Sequence, residues 1–304
     1  MALTTKSMGG QISGASIRGR TRGGENSAKP LLFLILLWLC LFIALAFLVT
    51  LIVSTLVDGG ARLDLRLITE FPASAPERAG ARPAILGSIW VIGTTAVLTI
   101  PLGVAAAIHL EEFADKKNRL NRIIELNVQN LAAVPSIVYG LLTLAFLGII
   151  GVANKNMVIV AAIALGMLIL PVIIIATREA LRAVPDEIRQ GSLALGATGL
   201  QTVWRNTLPS AVPGIATGAI LALSRALGEA APLLLLGGLV FLSFDPNGIL
   251  SGYTTMPIQI FNWTGRPQAE FHELASAASI LLLGILLAMN ALAIFIRNRY
   301  QQRW

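Results

Sequence analysis

The stretch LALSRALGEAAPLLLLGG, residues 221–238, holds Arg225 and Glu229 four positions apart in an otherwise apolar run. On a helix that spacing makes them neighbours on one face, able to pair. A guanidinium offers five fixed donors, a good match for an oxyanion with several acceptor oxygens. The carboxylate beside it would keep such a site from holding the anion too tightly. The alternative is a static ion pair that only locks helices together. Either way the charges must avoid lipid, because an ionised side chain at mid-bilayer costs at least ~2.5 kcal/mol. Arg225 falls within about 20° of Gly218 on a helical wheel, and Glu229 bears the same relation to Ala222. Gly214, Gly218, Ala222, Ala226 and Ala230 recur every four residues. Such a small-residue stripe lets backbones approach closely in lipid. It suits a contact within one subunit and a seam between two subunits equally.

Other chemistry is scarce. No Gly-Lys dipeptide occurs, so the phosphate-cradling loop of P-loop ATPases is missing. His272 opens HELAS, and Ser276 stands where the second zinc-binding histidine would be. His109 sits beside Glu111 and Glu112 at the edge of an apolar stretch, the place of an interfacial histidine. No catalytic residues, metal ligands or resident cofactor are therefore expected. Cys40 is the single cysteine, which precludes an intrachain disulfide.

The elements that position these residues are set by hydropathy. The chain of 304 residues is 55% hydrophobic and 13% charged, about half the charge of a soluble domain. A span needs roughly 20 apolar residues, and six stretches qualify: 31–57, 84–108, 131–150, 157–177, 213–242 and 275–296. Of these only the fifth carries charges in its middle. With the N-terminus inside, the inner segments 1–30, 109–130, 178–212 and 297–304 hold 16 Lys and Arg, against 6 in the outer ones. Both termini are thus expected in the cytoplasm. The net charge of +7 reads as membrane topology, with no nucleic-acid partner. Residues 1–30, rich in Gly, Ser and Arg, are expected to be a disordered tail, and 31–57 a retained signal-anchor helix. Residues 58–83 form an outer loop, 84–296 the transmembrane core, and 297–304 a short inner tail.

One inner segment, 178–212, alternates amphipathic turns with glycines. PDEIRQGSLAL (185–195) reads as a helix with Pro185 at its start and Asp186 and Glu187 in its first turn. Gly196 breaks it. TGLQTVWRNTLP (198–209) reads as a second helix with Leu200, Val203, Trp204, Thr207 and Leu208 on one apolar face. Pro209 is expected to close that helix. Such a face fits docking on another protein and lying on membrane lipid alike.

This segment resembles the inner-loop signature of ABC importer permeases, in which a Gly-Ala pair stands thirteen residues before the proline of Leu-Pro. Here the pairs are Gly196-Ala197 and Leu208-Pro209. Gln190-Gly191-Ser192 replace the usual E-A-A triplet and Asn206 an aliphatic residue, as in the phosphate branch of the family. LITEFPASAPERAG (67–80), PLGVAAAIHLEEFAD (101–115), LAAVPSIVYGLLTLAFLG (131–148) and RALGEAAPLLLLGG (225–238) look like that branch too. The Ala-Ala-Pro after Leu-Gly-Glu resembles its A-type subunit rather than the sister C-type.

The resemblance implies an all-α, type I ABC importer permease of six transmembrane helices with a cytoplasmic coupling helix, in a bacterial inner membrane. It implies a homologous partner permease, a cytoplasmic ATPase pair that binds the ATP, and a periplasmic phosphate-binding protein. Gly191, Gly196, Ala197, Leu208 and Pro209 would then serve ATPase coupling. Arg225 and Glu229, with Ser136 and Tyr139, would border the substrate path, although Ser136 and Tyr139 suit packing as well. Pro135 is expected to kink the third span. Import of another oxyanion, such as sulfate or molybdate, is the alternative, and a non-transport intramembrane protein a more distant one.

Overall fold

A computed structural model describes residues 28–115, 117–238 and 241–300. The tail expected over 1–30 lies almost wholly outside them, as do residues 301–304. Contacts divide the chain into one unit ending at Leu51 and a second from Ile52 onward. The first apolar stretch is α1, Ala28–Gly60. Its side chains from Pro30 to Leu51 are all exposed, and they are apolar on every side, as a helix wrapped in hydrocarbon requires.

After α1 comes a short helix α2, Leu65–Thr69, capped by the Asp64 carboxylate. After it comes the long α3, Arg82–Ile108, entered through Pro83. His109–Phe113 continue α3 as one π turn, in which the Ala114 N–H reaches back five residues to the His109 carbonyl. Next is α4, Arg119–Ala132, whose N-terminus is capped by Asn118. Then come α5, Ser136–Ile149, and α6, Val158–Arg182.

The third span is not the single helix expected over 131–150. α4 and α5 meet at 111°, and Pro135 is the N-cap of α5 rather than a kink within a helix. Proline lacks the N–H of a helix interior and holds the preceding Val134 out of the helical region. With 14 residues, α5 rises only about 21 Å. Among the described residues, five helices are long and apolar enough to cross a membrane, or six if the bent pair counts as one span.

α7, Asp186–Ala194, follows a turn begun by Pro185. Gly196, at φ +86°, then reverses the chain in the left-handed region that glycine enters without penalty. α8, Gly199–Thr202, starts with a capping box formed by Thr198 and Gln201. It passes through a π turn, Val203–Thr207, into α9, Leu208–Leu227. Pro209 therefore does not close this helix. The π turn shifts the ladder, so that the Leu208 N–H bonds the Val203 carbonyl, and the proline, which donates nothing, sits at the start of regular α9.

The fifth span also differs from the expected run 213–242. α9 stops at Leu227, with Gly228 as its C-cap, and a short α10, Ala231–Leu235, follows. A ring at Pro232 would clash with the Gly228 carbonyl in a continuous helix. Ala230 thus lies between helices, outside the small-residue stripe expected to include it, and Glu229 is not helical. α11, Met256–Thr264, and the closing helix α12, Ala269–Tyr300, complete the chain.

α6 is the core of the bundle. Its Ala161, Leu165, Leu168, Ile169 and Ile173 are buried with Val91 of α3 and Ala222 and Ala226 of α9. Close approach of α9 rests on its glycine stripe: a Cβ on Gly218 would stand 2.5 Å from the Ala176 Cβ.

Candidate functional site

Two groups of polar side chains stand out against this apolar frame. The first surrounds Arg225. Gly214 abuts Ala180 and Gly218 abuts Ala176, so α9 runs antiparallel to α6 and Arg225 comes level with Ile169, in the middle of the α6 span. At that level α9 ends, and the chain is irregular at Glu229 and Ala230. The Arg225 side chain is 48% exposed and Glu229 22%. Their closest approach, Nε to Oε1, is 3.9 Å, too long for a hydrogen bond. Glu229 thus offsets the arginine's charge without taking up its donors. The four helical members of the stripe face α6 of the same chain, and Arg225, close to the stripe by its spacing, is half-exposed because α9 ends just beyond it.

Tyr139 of α5 is buried. Its hydroxyl donates to the Leu131 carbonyl at 2.6 Å, which ties α5 to the last turn of α4 across the 111° bend. The phenolic oxygen retains acceptor capacity. Ser136 lies half-buried one turn before it. The backbone break brings α10 onto α5, where a Cβ on Gly140 would meet the Pro232 Cα at 2.8 Å.

The second group lies at the end of the bundle that carries the α7–α8 turn. Leu193, Leu195, Leu200 and Trp204 are all exposed there, Leu195 by 91%. Gly191 and Gly196 are exposed as well, while Ala197 and Leu208 are half-buried and Pro209 is exposed. The single apolar face expected for 200–208 is split in two. Val203 packs inward with Ile108, Leu181, Val184, Ala211 and Ile215 and Thr207 is buried, whereas Leu200 and Trp204 point out. Val203 and Thr207, four residues apart, share the inner side of the helix, and Leu200 and Trp204, also four apart, the outer side.

Behind this surface stands a network of ions that the sequence pattern does not reveal. Arg178 of α6 donates to Glu111 at 3.1 Å and Glu125 at 2.8 Å. Arg182 also reaches Glu111 at 3.0 Å. The Arg178 and Glu111 side chains are 8% and 5% exposed, which is tolerable because each charge is paired. Arg189 of α7 uses all five of its N–H groups. Nε and Nη2 donate to the two oxygens of Glu112 at 3.3 and 2.8 Å. Nη1 serves Asp186 at 3.0 Å and the Val184 carbonyl at 2.8 Å. The second Nη2 proton serves the Leu181 carbonyl at 2.7 Å. The Glu112 hydrogen bond holds this guanidinium above the ordinary arginine range. Arg178, Arg182 and Arg189 are spaced by four and seven residues, a helical period that is a usable signal, and Glu179 and Asp186 lie within helical reach of Arg182 and Arg189. Glu111, Glu112 and Glu125 lie far away in the chain and do not follow from spacing.

Comparison with known proteins bears on the chain and its fold as a whole. Residues 99–304 match the family described as "Binding-protein-dependent transport system inner membrane component". The "Phosphate transport system permease protein PstA 1" of Mycobacterium tuberculosis is 34% identical over 72% of this chain and 70% of its own length. The "Phosphate transport system permease protein PstA" of Yersinia pestis is 32% identical over 92% of this chain and 95% of its own. Among solved structures, a bacterial alginate ABC transporter superposes with a TM-score of 0.65 at 16% identity, covering 90% of this chain and 96% of the other. The architecture is that of the type I ABC importer permeases.

Proposed function

The chain belongs to the family of binding-protein-dependent transport system inner membrane components, and on that premise we propose that it is the permease subunit of an ATP-driven importer of inorganic phosphate. Its relatives are transport permeases, and its role is transport rather than catalysis. The observation that carries the phosphate reading is Arg225. A half-exposed guanidinium level with the middle of α6 cannot face hydrocarbon, so its open flank faces a water-filled path or a partner subunit. Discontinuous helices at mid-membrane mark such paths, and α9 ends just past Arg225, at Leu227.

The partners are a PstC-like homologous permease, a PstB-like cytoplasmic ATPase pair and a PstS-like periplasmic phosphate-binding protein. ATP is bound by the ATPases, and the permease needs no cofactor of its own. Both termini lie in the cytoplasm, as does the α7–α8 turn. Its exposed Leu193, Leu195, Leu200 and Trp204 dock into a cleft of the ATPase, with residues 190–209 as the coupling segment.

Reconstitution of the complete importer in liposomes tests the proposal. Phosphate loaded on the binding protein should stimulate both ATP hydrolysis and phosphate uptake. Stimulation by sulfate or molybdate in place of phosphate would transfer the assignment to another oxyanion.

A further inference from the structure

Arg189 is placed where three elements meet. Two of its bonds end on the Leu181 and Val184 carbonyls, in the last turn of α6 and just beyond it. One ends on Asp186 in the first turn of α7. The bidentate pair to Glu112 crosses to the π turn that ends α3. That pair is well buried, with side-chain exposures of 19% and 9%, so solvent screens it little. The π turn is what brings Glu112 into place: it adds a residue to the end of α3 and turns the successive Glu111 and Glu112 toward Arg178 and Arg189. π turns often occur at functional sites for this reason.

We propose that Arg189 is a positioning residue that clamps α7 to the ends of α3 and α6, so that displacement of α7 moves both membrane helices as one body. The clamp rests on the reading of 190–209 as the ATPase-docking segment. Without it, α7 is joined to the bundle by the chain through Pro185, by Ile188 packed on the cluster that includes Ile108, Leu181 and Val203, and by the contacts of its far end with the 203–207 turn. None of these fixes its direction as a bidentate ion pair does. A force applied at Leu193 and Leu195 would then rotate α7 about those points instead of shifting α3. Lysine cannot substitute for arginine here, because a single ammonium offers three donors from one point and cannot bridge five acceptors.

The test uses the complete importer in liposomes, as wild type, Arg189→Lys, Glu112→Gln and the double variant. The readouts are ATPase retained on the purified permease, ATP hydrolysed and phosphate taken up. Each single variant should retain its ATPase and continue to hydrolyse ATP, while phosphate imported per ATP falls about tenfold, the scale of one lost charge-assisted bond. The double variant should be no worse than the more affected single one, because both changes open the same clamp. If Arg189→Lys does not assemble, Glu112→Gln decides, since it leaves the bonds to Asp186 and to both carbonyls in place. An unchanged ratio of uptake to hydrolysis, or additive losses in the double variant, overturns the clamp. Gly196→Asp run in parallel separates the two ideas: full ATPase retention and uptake in that variant refutes the docking on which the clamp rests.

Discussion

The Asn206 side-chain amide donates to Ser192 Oγ at 2.9 Å, and Ser192 Oγ also lies 2.9 Å from the Thr202 hydroxyl. Ser192 and Asn206 are two positions at which this chain departs from the general importer loop pattern. The structure shows these departures to be partners, joining α7 to the π turn before α9. The paired change Ser192→Ala with Asn206→Leu should therefore cost less than the sum of the single changes. Each single change should lower stability by about 0.5–1.5 kcal/mol, as for one neutral hydrogen bond. Thermal denaturation of the purified complex measures all three, and strict additivity would contradict the pairing.

Gly196 is the second prediction. No atom lies within 4 Å of the position a Cβ would take, but φ is +86°. A side chain there is thus opposed by the backbone and not by crowding within this chain, at a cost of roughly 1–2 kcal/mol. Gly196→Asp should abolish phosphate uptake while the permease still inserts in the membrane, because the α7–α8 turn must hold its shape to dock. Normal uptake in membrane vesicles would remove the turn from the coupling route.

The stripe on α9 yields a third. Gly218→Leu with Ala222→Leu forces bulk against Ala176 and into the buried cluster around Leu165 and Ile169. Overpacking of this kind costs typically ~1–3 kcal/mol per site. The yield of assembled complex should fall, and with it uptake. Wild-type yield and uptake would show that α6 and α9 need not approach so closely.

Much of this architecture is legible in the sequence, and the misses share a cause. Apolar length locates α3 to within two residues at each end and α6 and α12 to within six, because a span is decided by composition over its whole length. Pro135 and Pro209 act differently from what their positions in the sequence suggest. Whether a proline ends, bends or merely starts a helix depends on how neighbouring carbonyls are satisfied, as the π turn does ahead of Pro209. The continuous run 213–242 conceals the break at Gly228, since leucines on both sides keep the hydropathy high. The same run puts Glu229 on a helix that stops two residues earlier. The arginines of the Arg178–Glu111–Glu125 and Arg189–Glu112 groups are legible as topology signals and by their helical spacing, but their partners are not. Their pairing is a property of tertiary contact between segments far apart in the chain.

The central claim is that Arg225 contacts the transported anion. A guanidinium whose nearest carboxylate stands 3.9 Å away keeps donors for phosphate, and Glu229 moderates its hold. Arg225→Gln should abolish phosphate uptake in liposomes holding the complete importer, while the complex assembles and still hydrolyses ATP. The decisive measurement is uptake by Arg225→Gln with Glu229→Gln. The substrate-path account predicts that transport stays lost, because the anion's partner is still missing; recovery of much of the wild-type uptake would contradict it and leave the two charges as a structural pair.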